Sequence, residues 1–533
     1  MAGKRMGMIE SVNKKRQLLG TLILATAFSV CELSLGAAAE PDVAPNIRAA
    51  LERISPASLR GHLSFIASDL LEGRGTPSRG LDIAAEYIAA QFRRAGLEPV
   101  GDDGYFQTAK WLTVGRDATR FELIVEHTKD GTKQAVHIAL DRVASAVDRA
   151  IHLTAAPLIK VKFDDADALE ALTKEQVAGK AVLTEMPALR GARRSPFRQV
   201  RRDMRRFVAR MRELEAALIL SVDREGPIDR TRLGRLIDPE NRRSRSAGLP
   251  LLTIRHDRLA ALLDSTKDQP LKATVTARIE PAESPIGLRN VVGLLPGSDP
   301  ALKATYILVT AHYDHLGVRG SGDGDNIYNG ANDDGSGTVT VIELAAALSS
   351  LEPRPKRSIL FMTFFGEERG LLGSRYYASH PIFPIEKTIA HINLEQVGRT
   401  DSDEGPQLNN ASITGIDYSD IGRVFKQAGE QTGIEVYKHA TDSDRYFGAS
   451  DNVALARLGV PAHTVCVTYR YDNYHGPGDH WDKIDYENMA RVARMIALGV
   501  VTIANSDREP RWNKNNRRAG RYYDAWKKRR EKE

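Results

Sequence analysis

Cysteine is nearly absent from this chain: Cys31 and Cys466 are the only two among 533 residues. With Cys31 inside a segment read below as a removed leader, one thiol remains, which excludes an intramolecular disulfide and a cysteine-rich structural zinc shell. Long apolar runs are also scarce, and a mean hydropathy of −0.34 excludes a polytopic membrane protein. Internal repeats and low-complexity tracts are missing outside the C-terminal tail. A charge excess is missing from the body of the chain. The net charge is +6, and residues 507–533 alone carry 11 basic and 5 acidic side chains, so the remainder is neutral in sum. Basic character therefore describes a tail, and no nucleic-acid partner is expected. What is present is globular: 27% charged and 42% hydrophobic residues exclude a mainly disordered, collagen-like or coiled-coil protein. The length fits about three structural units.

The N-terminus has the pattern of an export signal. Lys14, Lys15 and Arg16 precede an apolar run from Leu18 to Val30, and Ala37-Ala38-Ala39 offers a small-residue cleavage site. Residues 1–39 are expected to be removed, which predicts a periplasmic or extracellular protein. The apolar run is short for a membrane span, so an uncleaved anchor is the lesser alternative. Phe28-Ser29-Val30 before Cys31 makes a poor lipoprotein box.

Leu59, Leu63, Ile66 and Leu70, then Ile83, Ala84, Tyr87, Ile88 and Phe92, recur at helical spacing. Residues 40–113 are accordingly expected to be an N-terminal helical part of the main domain, helical as far as Trp111, with Gly96 stopping the second helix. Residues 114–282 change to short strands and turns, with buried strands at 177–184, 217–222 and 249–254. Within that block, ten arginines between Arg190 and Glu213 accompany an apolar stripe at Val200, Met204, Phe207, Val208 and Met211. This predicts an amphipathic helix with a solvated basic face, an anionic partner being the sharper alternative.

From Asn290 onward, near-continuous apolar strands alternate with helices: 290–295, 306–310, 358–364, 389–394 and 462–467. Unbroken apolar strands imply a sheet covered on both faces. In such sheets, functional groups gather at the strands' carboxyl ends. Those ends carry Ala311-His312-Tyr313-Asp314-His315-Leu316-Gly317, then Phe365-Gly366-Glu367-Glu368, then Glu395, then Tyr474-His475. Asn329 to Gly337, with Asp333 and Asp334, opens a helix between the first two. Glu367 and Glu368 follow a buried run, where uncompensated charge is costly. Two histidines and several carboxylates at successive strand ends fit a borderline divalent ion such as zinc. Five ligands with one shared carboxylate are able to hold two ions, an arrangement suited to hydrolysis.

In the order and joint spacing of these segments, the chain resembles the co-catalytic zinc exopeptidases, the family that includes bacterial leucyl aminopeptidases, glutamate carboxypeptidase and the transferrin receptor. The resemblance implies a three-layer α/β/α sandwich with a mixed, mostly parallel central sheet, its zinc peptidase domain at 283–506, and a basic tail at 507–533. It also implies two Zn2+ per chain: His312, Asp333 and Glu395 on one ion, and Asp333, Glu368 and His475 on the other. Asp314 would orient His312. Glu367 would be the general base that takes the proton of the attacking water and later delivers it to the leaving amine. Tyr474 matches a tyrosine that stabilises the oxyanion in one branch of the family. The chain departs from the commonest pattern at Glu395, where many aminopeptidases place Asp. The block 114–282 resembles an inserted, mostly-β protease-associated domain, which would shape substrate access.

The resulting expectation is an exported aminopeptidase acting on peptides. A carboxypeptidase for acidic C-termini is one alternative and would need a cationic pocket, for which Arg399, Arg445 and Arg470 are the candidates. A one-zinc cyclase acting on N-terminal glutamine is a second. A non-catalytic binding protein like the transferrin receptor is a third, but that lineage has lost metal ligands and this chain has competent residues at all five positions. Ser321–Asn326 is read as a turn in preference to a calcium loop. Cys466 is read as a core residue in preference to a nucleophile. The tail, with Trp512, Tyr522, Tyr523 and Trp526 among its basic residues, is expected to be disordered or a peripheral helix, with contact to an anionic envelope surface as the alternative reading. The sequence leaves the oligomeric state open.

Overall fold

Alternate residues of the central strands face opposite ways, and both sets are apolar. In Tyr306–His312 and Ser358–Phe364, Ile307, Val309, Ile359 and Phe361 enter one apolar cluster, while Leu308, Leu360, Met362 and Phe364 enter another. The first cluster takes in helices Pro56–Ile66, Arg79–Arg94, Ser336–Ser349 and Tyr486–Asn505. The second takes in Leu372–Ser379 and Asn452–Ala456. A sheet loaded on both faces has no solvent side, so its strands read as unbroken hydrophobic runs. The result is three layers, helix on sheet on helix.

The computed structural model describes residues 43–129, 131–143, 149–185, 194–224, 235–240, 248–265, 270–319 and 324–531. The expected signal segment 1–39 and half of the Ser321–Asn326 loop, residues 321–323, lie outside the described residues. Among the described residues, 14 strands form one sheet. Tyr306–His312 lies between Ser358–Phe364 and Thr388–Leu394, parallel to both, and Ala462–Cys466 continues parallel beyond Thr388–Leu394. Beyond Ser358–Phe364 the direction reverses at the long strand Pro270–Leu295. No helix of the described residues is long and apolar enough to cross a membrane.

Helix starts follow their caps. Ser55 Oγ accepts from Ser58 N at 3.1 Å, Ser78 Oγ from Leu81 N at 3.1 Å, and Asp485 Oδ1 from Asn488 N at 2.9 Å. Gly96, in the left-handed region at φ +74°, follows the end of Arg79–Arg94. The helical expectation fails before Trp111, because a strand begins at Phe106 and runs to Lys129. It pairs antiparallel with Pro270–Leu295 from Phe106↔Val291 to His127↔Ala273. Both strands pass straight through residues 113–114 and 282–283, so the block 114–282 continues the main sheet without an intervening linker. Within it, Ile151–Lys160, Ala181–Glu185, Leu218–Val222 and Leu251–Ile254 run parallel over their own apolar clusters. The expected strand at 177–184 is narrowed, because Lys174–Val177 is a helical turn. The arginine-rich helix Arg194–Glu213 buries Phe207 and Met211.

The segment expected to be disordered or a peripheral helix does carry a helix, Gly520–Arg530, and it is anchored by aromatic residues in an apolar cluster. Trp512, Ala519 and Tyr522 are buried against Tyr418, Phe447 and Ala462, and Trp512 Nε1 donates to the Gly459 carbonyl at 3.0 Å. Helix Gly520–Arg530 carries this contact, with Arg529 Nη1 donating to the carbonyls of Ile385 and Thr388, both at 3.1 Å. Aromatic burial outweighs the segment's charge. Trp512→Ala should therefore cost about 3–5 kcal/mol of stability, read as a lower urea midpoint. An unchanged midpoint would show that the segment adds nothing to the core.

Candidate metal centre

Parallel pairing brings the carboxyl ends of four strands to one edge. Tyr306–His312 ends at His312 and leads into Asp314 and His315. Ser358–Phe364 leads into Glu367 and Glu368. Thr388–Leu394 leads into Glu395, and the loop after Ala462–Cys466 brings Tyr474 and His475. Asp333 enters from the turn ahead of helix Ser336–Ser349. Every metal-type residue expected from the sequence is thus at this edge.

The donors converge. His312 Nε2 is 3.3 Å from Asp333 Oδ1, and His475 Nε2 is 3.0 Å from Asp333 Oδ2 and 3.3 Å from Glu368 Oε1. The two oxygens of Asp333 therefore face different histidines. His312, Asp333 and Glu395 place donor atoms within 4.8 Å of one another, and so do His315, Asp333 and Glu368. His312 Nε2, Asp333 Oδ2, Glu368 Oε1 and both ring nitrogens of His315 are nonetheless buried without a hydrogen-bond partner. Close approach without hydrogen-bond alignment is costly for buried polar atoms. It fits lone pairs directed at shared points between them, and the nitrogen and oxygen donor set suits zinc or a similar divalent ion.

Burial pushes the carboxyl pKa of Glu367 well above its ordinary value, against the pull of His312 and with Glu395, Asp451 and Glu368 adding repulsion. Burial likewise lifts Glu395 to about 7. Glu368 and Asp333 move the other way: burial opposes their charge, but His315 and His475 hold Glu368 at about 2, and His312 and His475 hold Asp333 well below its usual range. Four carboxylates in one cavity thus divide into two that favour a proton and two that favour cations. Burial raises the Tyr474 hydroxyl pKa, with Asp333 and the glutamates adding to the shift, so it keeps its proton as a donor. Its ring stacks on His475 at 4.1 Å.

The supporting shell differs in part from expectation. His312 Nδ1 lies 3.1 Å from the Asp314 carbonyl and 3.6 Å from its carboxylate. That carboxylate instead accepts from Glu367 N at 3.0 Å and Thr76 Oγ1 at 3.1 Å, fixing the backbone of Glu367. Three residues had no role assigned from the sequence. Asp479 Oδ2 accepts from Asn332 N at 3.0 Å, Asp333 N at 3.2 Å and the Tyr471 hydroxyl at 3.1 Å. Asp334 accepts from His312 N, Gly337 N and Gln396 N. A Cβ at Gly337 would lie 2.4 Å from that carboxylate, so the close approach requires glycine. Arg74 is fully buried and donates to the carbonyls of Ile66, Tyr313, Asn329 and Gly330. Asp334 was visible in its motif, whereas nothing local marks Arg74.

A cavity of about 430 Å³ opens beside the cluster, walled by Thr414, Tyr446, Ala449, Cys466 and Tyr469 and floored by Asp333, Glu367, Glu368 and Glu395. Among the described residues lining it there is no Lys or Arg. Arg399 pairs with Asp401 and lies 5.0 Å over the Tyr471 ring. Arg470 pairs with Glu404 and Asp442, and Arg445 lies 3.8 Å from Asp442. Cys466 is buried in its strand, its Sγ 3.2 Å from the Thr468 carbonyl.

Residues 290–500 match the model of peptidase family M28. This segment belongs to that family. Among curated proteins, the chain is 26% identical over 219 residues to aminopeptidase YwaD of Bacillus subtilis, covering 40% of this chain and 44% of that protein. It is 28% identical over 248 residues to a probable zinc metalloprotease of Pyrenophora teres f. teres, covering 42% and 50%. The matches thus span half or less of those relatives' length. Two solved structures share the fold along most of both chains. An aminopeptidase from Aneurinibacillus sp. strain AM-1 gives a TM-score of 0.52 at 20% identity, covering 88% of this chain and 97% of that one. The zinc aminopeptidase BSAP from Bacillus subtilis gives 0.51 at 18%, covering 85% and 96%.

Because Asp479 holds the backbone of Asp333, Asp479→Ala should weaken divalent-ion binding about 10–100-fold while circular dichroism stays native. Equilibrium dialysis reads this, and unchanged affinity would show that the carboxylate does not position the cluster.

Proposed function

We propose that this M28 chain is a metallo-exopeptidase that removes N-terminal residues from peptides. The supporting observation is the lining of its cavity, which has no Lys or Arg among the described residues. With bound ions offsetting its four carboxylates, the lining still offers no cationic side chain to hold a C-terminal carboxylate. The three arginines considered for a carboxypeptidase are engaged elsewhere. The aromatic and small residues of the cavity wall suit an apolar side chain at the terminal position.

His312, Asp333 and Glu395 would hold one zinc, and Asp333, Glu368 and His475 the other, with Asp333 shared. Ions bound there would supply Lewis acidity at the scissile carbonyl and favour a nucleophilic water at neutral pH. Glu367, with its pKa raised by burial, takes the proton of the attacking water and passes it to the leaving amine. Asp314 fixes the base through the Glu367 amide. The protonated Tyr474 hydroxyl donates to the oxyanion as charge develops there.

The same reading takes residues 1–39 as an export signal, 40–113 and 283–506 as the two parts of the peptidase domain, and 114–282 as a protease-associated-like insertion shaping access. Residues 507–533 form the basic C-terminal segment. Matched peptides with free and N-acetylated termini test the function with purified, zinc-supplemented protein. Only the free peptides should be cleaved, and Glu367→Gln should lower kcat about 10²–10⁴-fold. Cleavage of acetylated peptides from the C-terminal end would contradict the reading.

A further inference from the structure

We infer that His315 is an inner ligand of the second ion, the one between Asp333 and Glu368, and that His475 closes that ion's shell from the cavity side without anchoring it. The inference rests on the two-ion reading above and adds a residue to it.

His315 Nδ1 lies 2.9 Å from Glu368 Oε1, and its donor atom falls within 4.8 Å of those of Asp333 and Glu368. Ligands that share a zinc at about 2.0–2.1 Å sit roughly 3.0–3.4 Å from one another. The separations from His475 to Asp333 and Glu368, 3.0 and 3.3 Å, fall in this range, and that from His315 to Glu368, 2.9 Å, lies just below it.

Beyond the 2.9 Å contact with Glu368, the surroundings of the His315 ring supply no polar partner. Its side chain is wholly buried, yet neither ring nitrogen has a hydrogen-bond partner. Outside the cluster, His62 and His463 have partners on both ring nitrogens, and His391 leaves one, Nδ1, without a partner. His62 reaches the Tyr87 hydroxyl at 2.8 Å and Glu343 at 3.1 Å, and His463 reaches Ser419 Oγ at 2.6 Å and the Thr414 carbonyl at 2.8 Å. A ring present only for packing would leave at least Nε2 buried without a partner, which is unfavourable.

The ring is also held rigidly. A Cβ on Gly330 would lie 2.3 Å from His315 Cγ, so the imidazole packs flush on that backbone, and Gly330 adopts the left-handed φ of +58°. Arg74 fixes the frame on both sides, donating to the carbonyls of Gly330 at 2.9 Å and Tyr313 at 2.8 Å, and its own carbonyl accepts from His315 N at 3.2 Å. His475 contrasts at each point. Its side chain is 40% exposed, it occupies a left-handed turn at φ +54°, and the cluster of His315, Asp333 and Glu368 forms without it. A ligand set in a rigid frame retains an ion through turnover, while an exposed one is free to shift as substrate enters.

Equilibrium dialysis with Zn2+, and visible absorption of the Co2+-loaded chain, test this on full-length wild type, His315→Gln and His475→Gln, with folding checked by circular dichroism. Wild type should bind two ions. His315→Gln should bind one tightly and the other at least about 100-fold more weakly, with a changed cobalt band for the second equivalent. His475→Gln should keep the second ion within about tenfold of wild type. If His315→Gln does not fold, His315→Asn is read the same way. Wild-type binding of both ions by the His315 variant overturns this inference alone. So does a greater loss in His475→Gln than in His315→Gln. A wild-type chain that binds fewer than two ions overturns the two-ion reading as well.

Discussion

Everything at this sheet edge depends on one electrostatic constraint: carboxylates of Asp333, Glu367, Glu368 and Glu395 share a single buried cavity. Left alone, such a group repels itself and loses hydration, which is why burial drives Glu367 and Glu395 toward protonation. The fold answers with charge and dipoles at fixed places. The histidines approach Asp333 and Glu368, Asp314 and Asp479 organise the surrounding amides, and buried Arg74 lies beneath. In the proposed reading, divalent ions would complete this balance, offsetting the carboxylate charge and taking up the lone pairs that the protein leaves without hydrogen bonds.

Arg74 shows how far the constraint reaches. Burial pulls its pKa down to about 10, and Asp314, Asp479, Asp334 and Asp333 all act to raise it. Its guanidinium binds four backbone carbonyls spread from Ile66 to Gly330. A single cation thereby joins the N-terminal helices to the loops that carry His312, His315 and Asp333. Those helices also form the apolar layer over one face of the sheet, so the packing that makes the fold also sets the position of the site.

Much of this was legible in the sequence because two simple periodicities carried it. Unbroken apolar strands gave the covered sheet, and the order of His, Asp and Glu at their ends gave the residues that the structure brings together. Where reading failed, the deciding contacts were distant. Phe106–Trp111 has no helix-breaking residue, yet it pairs with a strand some 180 positions away, from Phe106↔Val291 to Trp111↔Ile286. The basic C-terminal segment carries many charges, but the burial of Trp512 and Tyr522 beside Phe447 decides its place. Asp479 acts on Asn332 and Asp333 through backbone amides, a role that no side-chain motif encodes. His315 was visible as a residue, but its significance appears only when its buried ring is seen beside Glu368 and Asp333 without an aligned hydrogen bond.

The most direct measurement of the central claim is anomalous X-ray diffraction at the zinc edge from crystals grown with the metal. The account predicts two peaks about 3.5–4 Å apart on either side of the Asp333 carboxylate, one beside His312 and Glu395 and the other beside Glu368. A single peak, or none at this edge of the sheet, would contradict it.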